Sequence, residues 1–243
     1  MTLSRSGRYI TDRSVSMPMP AKPTPSTPVR QRRKEARPQE LLDAALALFV
    51  EKGFAATRSE EVALRAGVSK GTLYLYYPSK EELLKAVIRQ NLSKILADGA
   101  GIADGFEGPT SDLLAILLRT WWEQVGETPA GGIHKIIMAE ARNFPEIAEF
   151  YNQEVIVPAH DLISKMVQRG VDSGEFRAVP AHEVTHVLIA PLIFLALHKH
   201  AFGPCPVGMD EIDAGRMIET QIDIMLRGLL ARDVPLRSDP SKA

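Results

Sequence analysis

From Pro38 onward, apolar residues recur three and four positions apart almost without interruption, and no alternating pattern lasts long enough to build a sheet. That spacing predicts an all-α fold. In "PQELLDAALALFVEKG", Leu41, Leu42, Ala45, Leu48 and Phe49 share one face, Pro38 suits a first-turn position, and Gly53 marks the stop of a first helix. "TRSEEVALRAG" predicts a second helix of about two turns, with Thr57 and Glu60 as a capping box and Gly67 as a left-handed cap. "SKGTLYLYY" forms a third short helix, which Pro78 ends by disfavouring helical geometry at Tyr77. "SKEELL" restarts at once, with Ser79 and Glu82 as a second capping box, and should run to about Ala97. The glycines and acids of "DGAGIADGFEGP" read as a linker. Longer helices are expected over 110–126, 132–143, 145–173 with a bend at Pro158, 180–202 and 210–231.

Composition adds that this is an ordinary globular chain, 45% hydrophobic and 24% charged. Cys205 is the only cysteine, so neither a disulfide framework nor a Cys-based zinc site can be assembled within one chain, and a reducing, cytoplasmic setting fits best. The N-terminus has no apolar signal region, and the longest apolar run, Val187 to Leu197, falls short of the roughly 20 residues of a membrane span. No membrane partner is expected. Charge is unevenly placed: the net −1 combines +7 over residues 1–37 with −8 over the rest. The tail, with "PMPAKPTPSTP" and "RQRRKEAR", lacks apolar content for folding and reads as a disordered arm able to attract phosphates.

Four helices in some sixty residues, the middle pair joined by a tight turn, make a helix-turn-helix layout. Its second helix must keep one thin apolar stripe for packing and give the rest to the major groove. Leu73 and Tyr77, with Val68 from the turn, supply the stripe, leaving Lys70, Gly71, Thr72, Tyr74, Leu75 and Tyr76 facing out. Lys70 can donate to a guanine edge or a phosphate, Gly71 lets the backbone approach, the hydroxyls can reach phosphates or bases, and Leu75 can meet a thymine methyl. Lys80, at the start of the next helix, would grip a phosphate.

The run "GFAATRSEEVALRAGVSKGTLYLYYPSKEELL", Gly53 to Leu84, closely resembles the DNA-binding domain of TetR-family regulators, with its AGVS-type turn, G-T-L-Y recognition helix, aromatic pair and K-E-x-L restart. The resemblance implies a homodimeric, all-helical repressor released from a pseudo-palindromic double-stranded operator by a small-molecule effector. By position it implies DNA contacts from Arg58, Ser59, Ser69, Lys70, Gly71, Thr72, Tyr74, Leu75, Tyr76 and Lys80. The organisation expected is a tail at 1–37, a three-helix helix-turn-helix domain at 38–85, a helical ligand-binding and dimerisation bundle at 86–235, and a disordered tail at 236–243.

A rival signal is "HEVTH", His182 to His186, which matches the H-E-x-x-H pattern of zinc metalloproteases. No third ligand is signposted and no strand is available to shape a cleft, so no catalytic residue, cofactor or metal is called for. A metal-dependent hydrolase and an effector-independent DNA-packaging protein stand as alternatives, and a non-catalytic metal or anionic ligand at His182 and His186 stays open. In the bundle, Trp121, Trp122, His134, Met138, Phe144, Tyr151, Phe176, His186 and Phe194 can line an apolar ligand cavity. The nearly all-apolar "EVTHVLIAPLIFLALHKHAF" and the stripe Met217, Ile218, Ile222, Met225, Leu226 and Leu229 are the candidate dimer surface.

Overall fold

The structure, a computed structural model, describes residues 29–203 and 212–231, with side chains from Arg37 onward. It consists of helices α1 (Val29–Lys52), α2 (Ser59–Arg65), α3 (Lys70–Tyr76), α4 (Lys80–Ile88), α5 (Lys94–Gly105), α6 (Thr110–Trp121), α7 (Gly132–Glu140), α8 (Pro145–Tyr151), α9 (Val157–Asp172), α10 (Ala181–Phe202) and α11 (Ala214–Leu229). Among the described residues there is no strand, only an isolated bridge between Phe176 and Leu230. The all-α expectation holds.

Differences from the expected elements have physical causes. Helix α1 opens at Val29 rather than Pro38 and carries Pro38 inside it, because the Arg, Lys, Glu and Ala of "RQRRKEAR" are good helix formers. The remaining tail positions, 1–28 and 236–243, and Cys205 lie outside the described residues. Thr57 and Glu60 do not form a capping box. Thr57 is buried and its hydroxyl donates to the carbonyls of Gly53 (2.7 Å) and Leu48 (3.2 Å), while the Arg58 N–H at the cap donates to Glu61 at 3.1 Å. Ser79 does cap α4, accepting from the Glu82 N–H at 3.1 Å, as Ser69 caps α3 by accepting from the Thr72 N–H. Gly53 (φ 86°) and Gly67 (φ 66°) take the left-handed conformation that ends α1 and α2.

The expected linker is helical. Most of "DGAGIADG" belongs to α5, where tertiary packing overrides the low propensity of glycine: at Gly99 an added Cβ would sit 3.7 Å from both Leu117 and Leu162. Helices α4 and α5 are continuous through a π-helical turn at Arg89–Ser93. A second π turn, Asn152–Ile156, joins α8 to α9, and a third, Trp122–Gly126, extends α6.

Two apolar cores result. The first joins α1 to α4 with Ile133, Ile136, Ile147 and Tyr151, so the helix-turn-helix shares its core with one side of the bundle. The second is built from α6, α9, α10 and α11, around Leu113, Leu114, Val167, Leu195 and Ala196. Ile218, Ile222 and Leu229 are buried in this second core, and Met217, Met225 and Leu226 pack against it. The stripe of α11 therefore packs against its own chain, with Met217, Met225 and Leu226 left partly exposed. On α10 and α11 the apolar surface left outward belongs to Val187, Phe194, Phe202 and Ile224.

Candidate DNA-reading face and ligand cavity

Helices α2 and α3 meet at the tight turn Ala66–Ser69, and Leu73 anchors α3 with no exposed surface. Opposite it, Gly71, Tyr74 and Leu75 are exposed, Leu75 to 85%. Gly71 has no conformational need to be glycine: its backbone is helical, and an added Cβ would meet only Ser69 Oγ at 3.8 Å. Lys70 reaches back to form an ion pair with Glu60 on α2 and lies 5.7 Å from the Tyr74 ring. The hydrogen bond from Lys70 holds the Glu60 carboxyl below the usual carboxylate range. Arg58 is exposed.

Five expected contacts are placed differently. Ser59 is buried, one wall of a shallow polar cleft that Arg58, Tyr74 and Lys80 also line. Ser69 and Thr72 bond to each other through their hydroxyls at 2.9 Å as part of the α3 cap. Tyr76 is half-buried and packs against the first core beside Tyr77, because a seven-residue helix on a curved core presents more than one stripe inward. Lys80 does not stand free for a phosphate. Its ammonium donates to the carbonyls of Phe54 (2.9 Å), Thr57 (3.1 Å) and Ala55 (3.2 Å) and sits 4.5 Å from the Phe54 ring centroid, so its three donors are used to close the loop between α1 and α2.

The bundle forms a partly open cavity of about 450 Å³. Its wall is mostly aliphatic, from Leu92, Ile95 and Leu96 on the α4–α5 rod to Leu162, Ile163 and Leu192 on α9 and α10. All three π turns contribute to it, through Leu92, through Gln124 and Val125, and through Val155 and Ile156. A π turn widens the helix by one residue, and such turns recur at functional sites.

Of the expected lining residues, Trp121, His134, Met138 and Tyr151 reach the cavity. The other five do not line it. Trp122 is buried in the second core and donates its indole N–H to Glu127 at 3.1 Å; Phe144 packs edge-on to Phe54 at 4.9 Å between centroids; Phe176 is buried; Phe194 is exposed; His186 belongs to a separate cluster. Sequence spacing identifies apolar positions without saying which core they enter, which is why these residues were not separable. His134 Nδ1 and the Tyr151 hydroxyl are 2.5 Å apart, both side chains are buried, and His134 Nε2 has no partner. Burial, with a smaller contribution from His200, pushes the His134 imidazole down to about 4, so it is neutral at pH 7. Burial likewise raises the Tyr151 hydroxyl above its ordinary range.

His182 and His186 share one face of α10, their ring centroids 4.8 Å apart, and His160 from α9 joins them at 6.5 and 4.4 Å. Sequence alone did not signal the third ring. Among the described residues no three such side chains have their donors gathered around a single ion position. Helix α10 is long and apolar enough to cross a membrane by length and composition alone, but it packs against α7, α9 and α11 within the bundle.

A short recognition helix standing outward from a head whose core continues into a cavity-bearing helical bundle defines a ligand-responsive helix-turn-helix regulator. The particular family follows from similarity to known proteins. The model of bacterial regulatory proteins of the tetR family matches residues 41–87, and that of the tetracyclin repressor-like C-terminal domain matches residues 107–220. The transcriptional repressor KstR2 of Mycobacterium tuberculosis is 33% identical over 143 residues, 58% of this chain and 70% of KstR2. The transcriptional regulator RutR of Escherichia coli is 47% identical over 72 residues, 30% of this chain and 34% of RutR. The crystal structure of a transcriptional regulator from Saccharomonospora viridis in complex with choline superposes with a TM-score of 0.67 at 21% identity, covering 82% of this chain and all of that one. The chain belongs to the TetR family. It is a homodimeric, DNA-binding transcriptional repressor that responds to a small-molecule ligand, and the hydrolase and DNA-packaging alternatives have no support.

Proposed function

We propose that the operator is read by the outward face of α3, with Lys70, Gly71, Tyr74 and Leu75 at the groove and Arg58 on the flanking backbone. The observation that carries this reading is that Gly71 and Leu75 serve nothing inside the chain, the first being glycine without need and the second an exposed aliphatic. A surface that carries no Cβ at one position and offers a methyl-bearing side chain four residues on suits close approach to base edges.

The effector is proposed to be an elongated, largely apolar molecule carrying one hydrogen-bonding group. The aliphatic wall supports the apolar part, and the buried His134 and Tyr151 pair supports the polar anchor. Because Leu92, Ile95 and Leu96 line the cavity on the same continuous rod whose first turn, at Lys80, holds the loop under α2, a ligand that displaces the rod moves the head. Dimer contact through Val187, Phe194 and Phe202 is supported by their exposure on one helix. The chain acts by binding, without catalysis of its own, in the compartment that holds the DNA.

The test is selection of bound fragments from the source genome with purified protein, followed by binding of Tyr74→Ala and Leu75→Ala variants to those fragments. Loss of specific binding in both, with folding unchanged, is expected. Wild-type affinity in both variants overturns the assignment of the face.

A further inference from the structure

We infer that the effector is an uncharged molecule with a carbonyl-type oxygen at one end, seated with that end inward and with its hydrocarbon tail at the open side of the cavity. The inference rests on the reading of this cavity as the effector site and names the class of molecule the site takes. Among the described residues that line the cavity there is no lysine or arginine, and the one carboxylate, that of Asp98, is exposed. Lys135, next to His134 on α7, is engaged elsewhere: its ammonium donates to the carbonyls of Val50 (3.0 Å) and His200 (3.1 Å), near the C-terminal ends of α1 and α10. A carboxylate or phosphate buried here finds no cation, and an unpaired buried charge is strongly disfavoured. The imidazoles do not supply the missing charge. Burial keeps His134 neutral at pH 7, and burial together with the two neighbouring rings holds His160 below its ordinary value.

The polar groups that remain select an acceptor. His134 Nδ1 and the Tyr151 hydroxyl are 2.5 Å apart and both side chains are buried. A phenol is the stronger acid of the two and an imidazole nitrogen the stronger base, so the Tyr151 O–H donates to Nδ1 and the proton of the neutral ring sits on Nε2. That N–H has no partner among the described residues. Buried donors in folded chains find an acceptor, because leaving one unpaired is costly. The ring belongs to the cavity wall, so a ligand oxygen is the acceptor it lacks. At the other end the cavity is lined by Ile102 on α5, Met138 on α7 and Ile156 in the π turn before α9, all of them exposed. An exposed aliphatic rim suits a hydrocarbon tail and not a charged head, which sets the polar end inward.

The experiment uses the full chain, with diphenylhexatriene as an apolar fluorescent occupant of the cavity and three displacing probes of similar length. These are methyl octyl ketone, its alkene isostere in which a methylene replaces the ketone oxygen, and decanoate. At pH 7 the ketone should displace the dye at a concentration at least about tenfold below that of decanoate, which brings an unpaired charge inside. In His134→Phe, with far-UV circular dichroism unchanged, the affinity of the ketone relative to its isostere should fall about three- to tenfold, the worth of one neutral hydrogen bond. This is a ratio within each protein, so a general change in cavity shape cancels. Decanoate displacing the dye as readily as the ketone overturns the proposal, and so does an unchanged ratio in folded His134→Phe; if that variant does not fold, the decanoate comparison decides alone. Failure of the dye and of all three probes to bind overturns the reading of the cavity as the effector site along with this one, so the two failures are told apart.

Discussion

Lys80 offers the sharpest test of how the head is built. Replacing it with methionine keeps the aliphatic stem but removes three donors at once. The Ala55 carbonyl is exposed and is rehydrated at little cost, whereas those of Phe54 and Thr57 are partly buried. Each of these two loses a charge-assisted hydrogen bond worth about 1.5 kcal/mol or more, and the contact over the Phe54 ring adds about 0.5–1 kcal/mol. Lys80→Met should therefore destabilise the chain by about 3–4 kcal/mol, read as a lowered urea midpoint by far-UV circular dichroism in the absence of DNA. A phosphate-gripping lysine behaves otherwise: its loss leaves stability within about 0.5 kcal/mol and lowers the salt dependence of DNA binding by about one unit of slope. The second outcome would refute the loop-closing role.

Three further outcomes follow from the same geometry. Gly71→Ala should raise stability by about 0.5–1 kcal/mol, as a glycine replaced within a helix does, yet lose operator affinity in a fluorescence-anisotropy titration. Glu60→Gln frees Lys70 and removes a carboxylate beside the groove-facing surface, so operator binding should tighten about two- to fivefold at low salt, with the gain fading as salt screens it. His134 has a folded value near 4 against about 6.5 unfolded; between those values the unfolded chain binds the extra proton, so stability falls on acidification from pH 6.5 to 4 by about 1.4 kcal/mol per unit at most. His134→Phe should flatten that part of the stability profile, measured by urea unfolding across the range, and leave stability above pH 7 free of any pH dependence from this group.

The helices were legible because their apolar spacing is regular, and the recognition helix because its turn, glycine and aromatic pair have few other uses. What could not be read was the destination of each apolar face. The stripe of α11 looks the same in sequence whether it meets a partner or its own bundle, and only the positions of α6 and α10 show that Ile218, Ile222 and Leu229 are buried within the chain. Capping was misplaced by one residue because Thr57 satisfies two carbonyls behind it instead of the helix ahead. The loop contacts of Lys80 are not legible in the sequence because its three acceptors lie twenty-three to twenty-six positions earlier in the chain. Trp122 and Phe144 were credited to the cavity because size and apolarity carry no direction, whereas His134 and Tyr151 reach it. His160 carried no local motif at all; its neighbours become visible only once α9 lies against α10.

The π turns at Arg89–Ser93 and Asn152–Ile156 carry a genetic implication. Each holds one residue more than an α-helical turn, yet the helix on either side keeps its phase, with Leu84 and Ile88 buried before the first and Leu92 within it. A single-codon deletion inside either turn would restore ordinary helical winding without rotating the flanking faces. Because Leu92 and Val155 are buried members of the first core as well as cavity lining, such a deletion would change the cavity wall together with that part of the core. Gain or loss of one codon is thus a route to a different cavity wall that leaves the residues of α3 unchanged.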